Sequence, residues 1–329
     1  MTKMRNAALP TLWSEDELLD GKRVRCLTMI LRTAGCSWWL KTGGCTMCGY
    51  NAKASDTKIS SRDVLNQFER AWETYDEQSI VKIYTSGSFL DDNEISPDIR
   101  EKILSSAKGA GAKLLFESRP EFVTEESLRN CSRVHEDIEL ALGLESANDK
   151  VLEKSISKGF RFSDYLRAAE LAGREGISVR TYLLLKPPYL TEREAVKDTM
   201  DSIVAAKKYS RVISINPVNV QKHTKLERLW RSWAYRPAWL WSLLEVLENA
   251  DRGDSMLIAS TVGAGNERGI HNCGQCDDDI IAAVERLNVT QDPASLKKCD
   301  CRCRENWERI KDIEGFSLAA ADQERFFIR

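Results

Sequence analysis

The sequence predicts an α/β fold of six β-α units in series. Their strands would run parallel in part of a barrel, a partial (β/α)6 arrangement, with a small metal-binding appendage at the C-terminal end. Three observations predict it. Strand-like and helix-like segments alternate from Val24 to Asn216. Three cysteines, Cys36, Cys45 and Cys48, follow the first strand at C-x8-C-x2-C spacing. Five more are grouped late in the chain, Cys273, Cys276, Cys299, Cys301 and Cys303. Serial β-α units place their functional loops at the C-terminal ends of the strands. The 329 residues suffice for one such domain, expected over residues 21–250, after an N-terminal extension (1–20) and before an appendage (251–329).

The elements follow in order. Val24–Leu31 is a run of β-branched and aliphatic residues that reads as the first strand. Ser60–Gln78 carries Val64, Leu65, Phe68, Trp72 and Tyr75 at helical spacing, with Ser60 and Asp63 placed as a capping box. Ile80–Thr85 is a strand, Pro97–Lys108 a helix, Lys113–Glu117 a strand and Thr124–Arg133 a helix. Asp137–Leu144 is the fourth strand, and the helix Ser163–Glu175 is ended by Gly176. Ser178–Leu185 is a strand stopped by Pro187-Pro188. Thr191 and Glu194 form a second capping box opening the helix Thr191–Lys208, and Arg211–Asn216 is the sixth strand. Farther on, Asp277–Leu287 reads as a helix with an acidic first turn.

Composition excludes several classes. A net charge of −2 gives no whole-molecule attraction for nucleic acid. Cysteines that cluster, in a long chain with no signal peptide, point to metal ligation in a reducing cytoplasm rather than to disulfides. No apolar run approaches the ~18 residues of a membrane span.

The chemistry concentrates in the loop Cys36-Ser-Trp-Trp-Leu-Lys-Thr-Gly-Gly-Cys45-Thr-Met-Cys48. Gly35, Gly43, Gly44 and Gly49 let its backbone approach whatever the sulfurs hold. Four thiolates close a metal site, whereas three leave a position open. On a [4Fe–4S] cluster an open iron can take a small molecule, which is the requirement of an S-adenosylmethionine (SAM) radical enzyme. A zinc knuckle with a distant fourth ligand, or three unrelated thiols, would use the same residues. The strand ends supply further candidates. Thr85, Ser86, Gly87 and Ser88 form a small-residue turn suited to a ligand's amino group. Glu117 and Glu145 could hold ribose hydroxyls, and Lys158 or Arg180 could meet a carboxylate. Each could instead be a solvated or salt-bridged loop residue.

The cysteine loop, Thr85–Asp92, Glu117–Phe122, Gly143–Ser146 and the Ser157–Phe160 turn resemble radical SAM enzymes related to the elongator catalytic subunit. Asn216–Trp230, Tyr235–Trp241 and Gly265–Cys276 resemble more narrowly the archaeal radical SAM subunits of archaeosine synthase, over about residues 20–310. The eight-residue spacing differs from the commonest radical SAM loop, C-x3-C-x2-C. The resemblance implies a radical SAM barrel in which Cys36, Cys45 and Cys48 hold the catalytic cluster. It also implies the reaction. A partner enzyme, ArcS, joins lysine to a 7-deazaguanine base in the D-loop of tRNA, and the radical SAM subunit cleaves a C–N bond of that adduct to leave archaeosine. An electron donor is implied as well. Modification of another tRNA base, or a non-catalytic iron–sulfur and zinc scaffold that recruits tRNA, remains compatible with the residues.

The late cysteines offer four soft thiolates, enough for a closed tetrahedral zinc. The family pattern selects Cys273, Cys276, Cys301 and Cys303, with Cys299 and His271 as spare ligands and a second iron–sulfur cluster as the competing occupant. Charge is informative only locally. From Lys207 to Arg236 there are eight basic residues against one acid, Glu227, interleaved with Trp230, Trp233 and Tyr235. Arg228, Arg231 and Arg236 are the candidate phosphate contacts, alongside aromatic rings for base stacking. The competing reading is a solvated helix with its aromatics in the core.

Overall fold

The computed structural model describes residues 10–49, 59–297 and 299–314. They fall into two compact units. The first comprises residues 10–44, 59–143 and 167–179, and the second 45–49, 144–166, 180–297 and 299–314.

The first unit opens with a hairpin. β1 (Thr11–Leu19) pairs antiparallel with β2 (Lys22–Ile30) across Asp20-Gly21, both at positive φ (49° and 74°). A two-residue Asp-Gly turn of this kind matches the twist of the flanking strands. β1 falls inside the expected extension and has no strand signature, since Ser14, Glu15, Asp16 and Glu17 interrupt it. Pairing is what makes it a strand. Its acids also have a use: Glu15 and Glu17 both bind the buried ammonium of Lys82. That lysine lies on β3 (Ile80–Tyr84), which runs parallel to β2 and to β4 (Lys113–Ser118). β5 (Ile138–Glu145) pairs parallel with β4. After the short α1 (Ser37–Thr42), helices α2 (Ser61–Trp72), α3 (Pro97–Gly109) and α4 (Glu125–Val134) bury one face each. Ser60 and Asp63 close the expected capping box at the start of α2. The strands are almost wholly buried, as parallel strands covered on both faces must be.

In the second unit β6 (Ser178–Leu185), β7 (Val212–Pro217) and β8 (Met256–Ala259) lie side by side and parallel. β8 carries the strands past residue 250, where the appendage was expected to begin. A run of four apolar residues cannot be told from a buried helix segment by periodicity alone. After α5 (Phe162–Arg174), which precedes β6 in the chain, Thr191 and Glu194 cap α6 (Glu192–Ala206) as expected. α7 (Lys225–Arg231), α8 (Leu240–Asn249), α9 (Asp277–Thr290) and α10 (Cys303–Ile313) complete the unit.

A fully buried carboxylate ties these helices together. Glu192 accepts from Trp239 N–H (2.9 Å) and Ser242 Oγ (2.9 Å), and it pairs with Lys186 at 3.2 Å. Ser242 Oγ in turn accepts from Trp307 Nε1 at 2.8 Å. A buried charge persists only when paired and hydrogen-bonded, and this one also fixes α8 and α10 relative to α6. No helix among the described residues is long and apolar enough to cross a membrane.

Candidate active site and metal centre

In the first unit the C-terminal ends of β2, β3 and β4 gather the predicted residues. Cys36 occupies the N-cap of α1 and is buried. The turn after β3 runs directly past it. A Cβ built on Gly87 would lie 2.8 Å from Cys36 Cβ and 2.6 Å from Glu94 Oε1, so only glycine fits between the thiol and the acid. Glu94 holds the turn from below. Its carboxylate accepts from Thr33 Oγ1 (2.6 Å), Gly87 N–H (3.1 Å) and Ser88 N–H (2.8 Å). Ser88 Oγ accepts from Arg119 N–H at 3.0 Å, and Phe89 N–H donates to Glu117 O at 2.8 Å, which locks the turn to the end of β4. Thr85 and Ser88 are buried, while Ser86, Gly87 and Glu117 are half-buried.

Sequence reasoning missed Glu94. Its one signal was an acid in the Leu90–Ile95 stretch that closes no helix cap. Burial pushes its carboxyl up to about 7, against the hydrogen bonds from Thr33 and Ser88. The sign of the consequence follows. Between the ordinary value near 4.5 and about 7, the folded chain holds this proton and the unfolded chain does not. The stability so contributed is present below 4.5 and lost as pH rises through 7, on the order of 3 kcal/mol. Thermal melts of wild type and Glu94→Gln from pH 4.5 to 8 are expected to diverge by that slope. Parallel melts would mean the acid is ionised throughout.

The second unit holds the rest of the loop. Cys45 and Cys48 are half-buried, with Cys48 N–H turned onto Cys45 O at 3.2 Å. Thr46 between them donates to Ile156 O (2.9 Å) and accepts from Leu226 N–H (3.1 Å). This stitches the cysteine segment between α7 and a π-helical turn, Val151–Ile156. Such turns recur at functional sites. Glu145, at the end of β5, sits at φ 70°, a left-handed conformation costly for a side chain of its size. Lys158 holds it at 2.6 Å and also lies over the Phe160 ring. The two candidates thus pair with each other. Arg180 is buried and stands third in β6, nearer that strand's start than the C-terminal end where a ligand would dock.

The late cysteines converge within the same unit. The Sγ atoms of Cys273, Cys276, Cys301 and Cys303 all lie within 4.8 Å of one another, with 3.8 Å for Cys273–Cys301 and 3.7 Å for Cys276–Cys303. A tetrahedron with metal–sulfur bonds of ~2.3 Å has edges of ~3.8 Å, so one ion fits. A four-iron cluster puts each thiolate on a separate corner and would hold the sulfurs much farther apart. Supporting donors are in place: Trp241 Nε1 to Cys303 Sγ at 3.2 Å and Asn272 Nδ2 to Cys276 Sγ at 3.4 Å. Among the described residues the group is these four. His271 instead turns Nδ1 to Gly269 O at 2.7 Å, and Cys299 lies outside the group.

The basic stretch divides sharply. Arg228 and Arg231 on α7 are exposed, and Arg231 reaches Glu227 at 3.2 Å. Glu227 is occupied chiefly by Arg268 at 2.7 Å, which together with His223 N–H and Arg231 holds its carboxyl down to about 2. Arg236 is a structural cation. It donates to Pro237 O and His271 O and stacks 4.1 Å over Trp239, so it joins the segment before α8 to the loop entering the metal group. The loop itself is tight. A Cβ on Gly269 would stand 2.0 Å from Gly263 O.

A parallel α/β chain with a three-cysteine loop after β2 and a small-residue turn after β3 is the arrangement of a radical SAM protein. A protein-family model described as the Radical SAM superfamily matches residues 32–203. The chain is 42% identical over 313 residues to the archaeosine synthase subunit beta of Methanosarcina acetivorans, covering 93% of this chain and 90% of that one. It is 38% identical over 310 residues to the protein of the same name from Thermococcus kodakarensis, covering 91% and 96%. Among solved structures, methylornithine synthase shares the fold, with a TM-score of 0.54 at 15% identity over 91% of this chain and 85% of that one. The chain belongs to the archaeosine synthase subunit beta family of radical SAM proteins.

Proposed function

We propose that the chain is a radical SAM lyase that cleaves a C–N bond of a lysine adduct on a 7-deazaguanine base in the tRNA D-loop, yielding archaeosine. The observation that carries this reading is the packing of Cys36 against the Thr85–Ser88 turn, which would set a cluster ligand beside a backbone able to receive SAM. Cys36, Cys45 and Cys48 would hold the [4Fe–4S] cluster. Together the cluster and SAM supply a carbon-centred radical that takes a hydrogen atom from an unactivated carbon. The chain's own work is to position and to exclude water. Glu94 takes up the N–H groups of Gly87 and Ser88 and so orients the turn that would receive the SAM amino group. Glu117 would meet the ribose. Glu145 and Lys158, already paired, would present one acid and one base to SAM or to the lysine moiety. Arg180, deeper in β6, would set the charge beneath them.

The four late cysteines would hold a structural zinc. ArcS would supply the lysine-bearing tRNA, a cellular reductant the electron, and the cytoplasm is the compartment that keeps these thiols reduced. The test is anaerobic reconstitution with iron, sulfide, SAM, reductant and lysine-adducted tRNA, followed by mass spectrometry of the nucleosides. Archaeosine formed in step with 5′-deoxyadenosine is the expected result. SAM cleavage with an unaltered adduct would refute the lyase assignment.

A further inference from the structure

Trp233 has no packing role. It is 96% exposed, whereas its neighbours are used by the fold: Tyr235 is buried with its hydroxyl on Lys186 O (2.8 Å), and Trp230 lies beneath Arg268 at 4.6 Å. Its backbone is also wrong for its side chain. Trp233 sits at φ 60°, just past the end of α7, where Trp233 N–H bonds Trp230 O (3.1 Å) and Ala234 N–H bonds Leu229 O (2.9 Å). That left-handed closing position is the one glycine commonly fills, and a bulky residue is strained there. The chain therefore holds a large apolar ring in water on a strained backbone.

The surroundings indicate what would cover it. Arg228 and Arg231 on the same short helix are exposed, and Arg268 occupies Glu227, the one acid between Lys207 and Arg236. A protein interface buries its aromatic anchors in a core depleted of charge. Arg231 shares Glu227 with the closer Arg268 (3.2 against 2.7 Å), and an exposed ring beside exposed arginines is instead the pairing that single-stranded RNA meets, base on ring and phosphate on guanidinium.

We propose that Trp233 is a stacking platform for an unpaired base of the tRNA, with Arg228 and Arg231 on the flanking phosphates. This rests on the tRNA reading above and adds a residue-level contact to it. The test measures tRNA affinity of the full chain across a salt series, together with thermal stability. Trp233→Gly is expected to raise the melting temperature or leave it unchanged, because the strain is relieved, while weakening tRNA binding about 5- to 100-fold. Its salt slope should match wild type, since stacking releases no counterions. Trp233→Phe, which keeps a ring, should recover most of the affinity. Arg228→Gln with Arg231→Gln should instead flatten the slope by roughly 0.7–0.9 log units per contact.

Affinity that is equal in wild type and Trp233→Gly overturns the stacking role, as does an equal loss on a blunt RNA duplex with no unpaired base. A shift in sedimentation with unchanged RNA affinity would place the ring against a second copy of the chain and also overturn it. Wild-type protein without salt-dependent tRNA affinity would refute the tRNA reading itself, a distinct result.

Discussion

Cys36→Ala, Cys45→Ala and Cys48→Ala are each expected to abolish 5′-deoxyadenosine formation and to remove the oxygen-sensitive absorbance of the reconstituted cluster. With three thiolates for four irons, no ligand is spare. The losses should be separable from folding. Cysteine to alanine removes a single sulfur, and Cys45 and Cys48 are only half-buried, so each variant loses a ligand and little packing. Unfolding midpoints of the metal-free variants are therefore expected within a few degrees of wild type, an effect of about 1 kcal/mol or less. Gly87→Ala provides the complementary perturbation. It keeps all three ligands but forces a methyl to within 2.6 Å of Glu94 Oε1 and 2.8 Å of Cys36 Cβ. It should weaken SAM binding more than it lowers iron content. Wild-type turnover by any of the three cysteine variants would refute the radical SAM assignment of the loop.

The reach of the sequence can be seen in where it succeeded. Capping chemistry is local, so the capping boxes of α2 and α6 were legible residue by residue. The six serial strands were legible because burial on both faces makes them continuous apolar runs. β1 and β8 were not. One is a polar segment made a strand by its hairpin partner, and the other is four residues long. Glu94 was invisible for a related reason. Nothing in Asp91-Asp92-Asn93-Glu94 shows that Asp91 and Glu94 turn inward, and only the fold brings Glu94 under Gly87 and Ser88. Charge misled in one place. Arg236 counts equally with Arg228 and Arg231 along the chain, yet its partners are the carbonyls of Pro237 and His271.

The late cysteines carry the other large expected effect. Cys276→Ser or Cys303→Ser should eliminate bound zinc, leave iron nearly intact, and cost several kcal/mol of stability. Structural zinc contributes ~10–16 kcal/mol of apparent folding energy in isolated fingers. The loss here should be smaller, because Trp307 and the Glu192 network also hold α8 and α10 in place. What a metal there would add is the ordering of the loop between them. Asn272 bonds Cys276 Sγ and Trp241 N–H, its neighbour His271 receives Arg236, and Arg268 in the same loop grips Glu227 on α7. A chelator or either serine variant should therefore loosen α7 and lower tRNA affinity without touching a residue on its exposed face. Cys299→Ser, outside the four-sulfur group, should do neither. Iron lost in parallel, from protein that never contained zinc, would identify the group as a second cluster site. Zinc retained in full by Cys276→Ser would show that the four sulfurs are not its ligands.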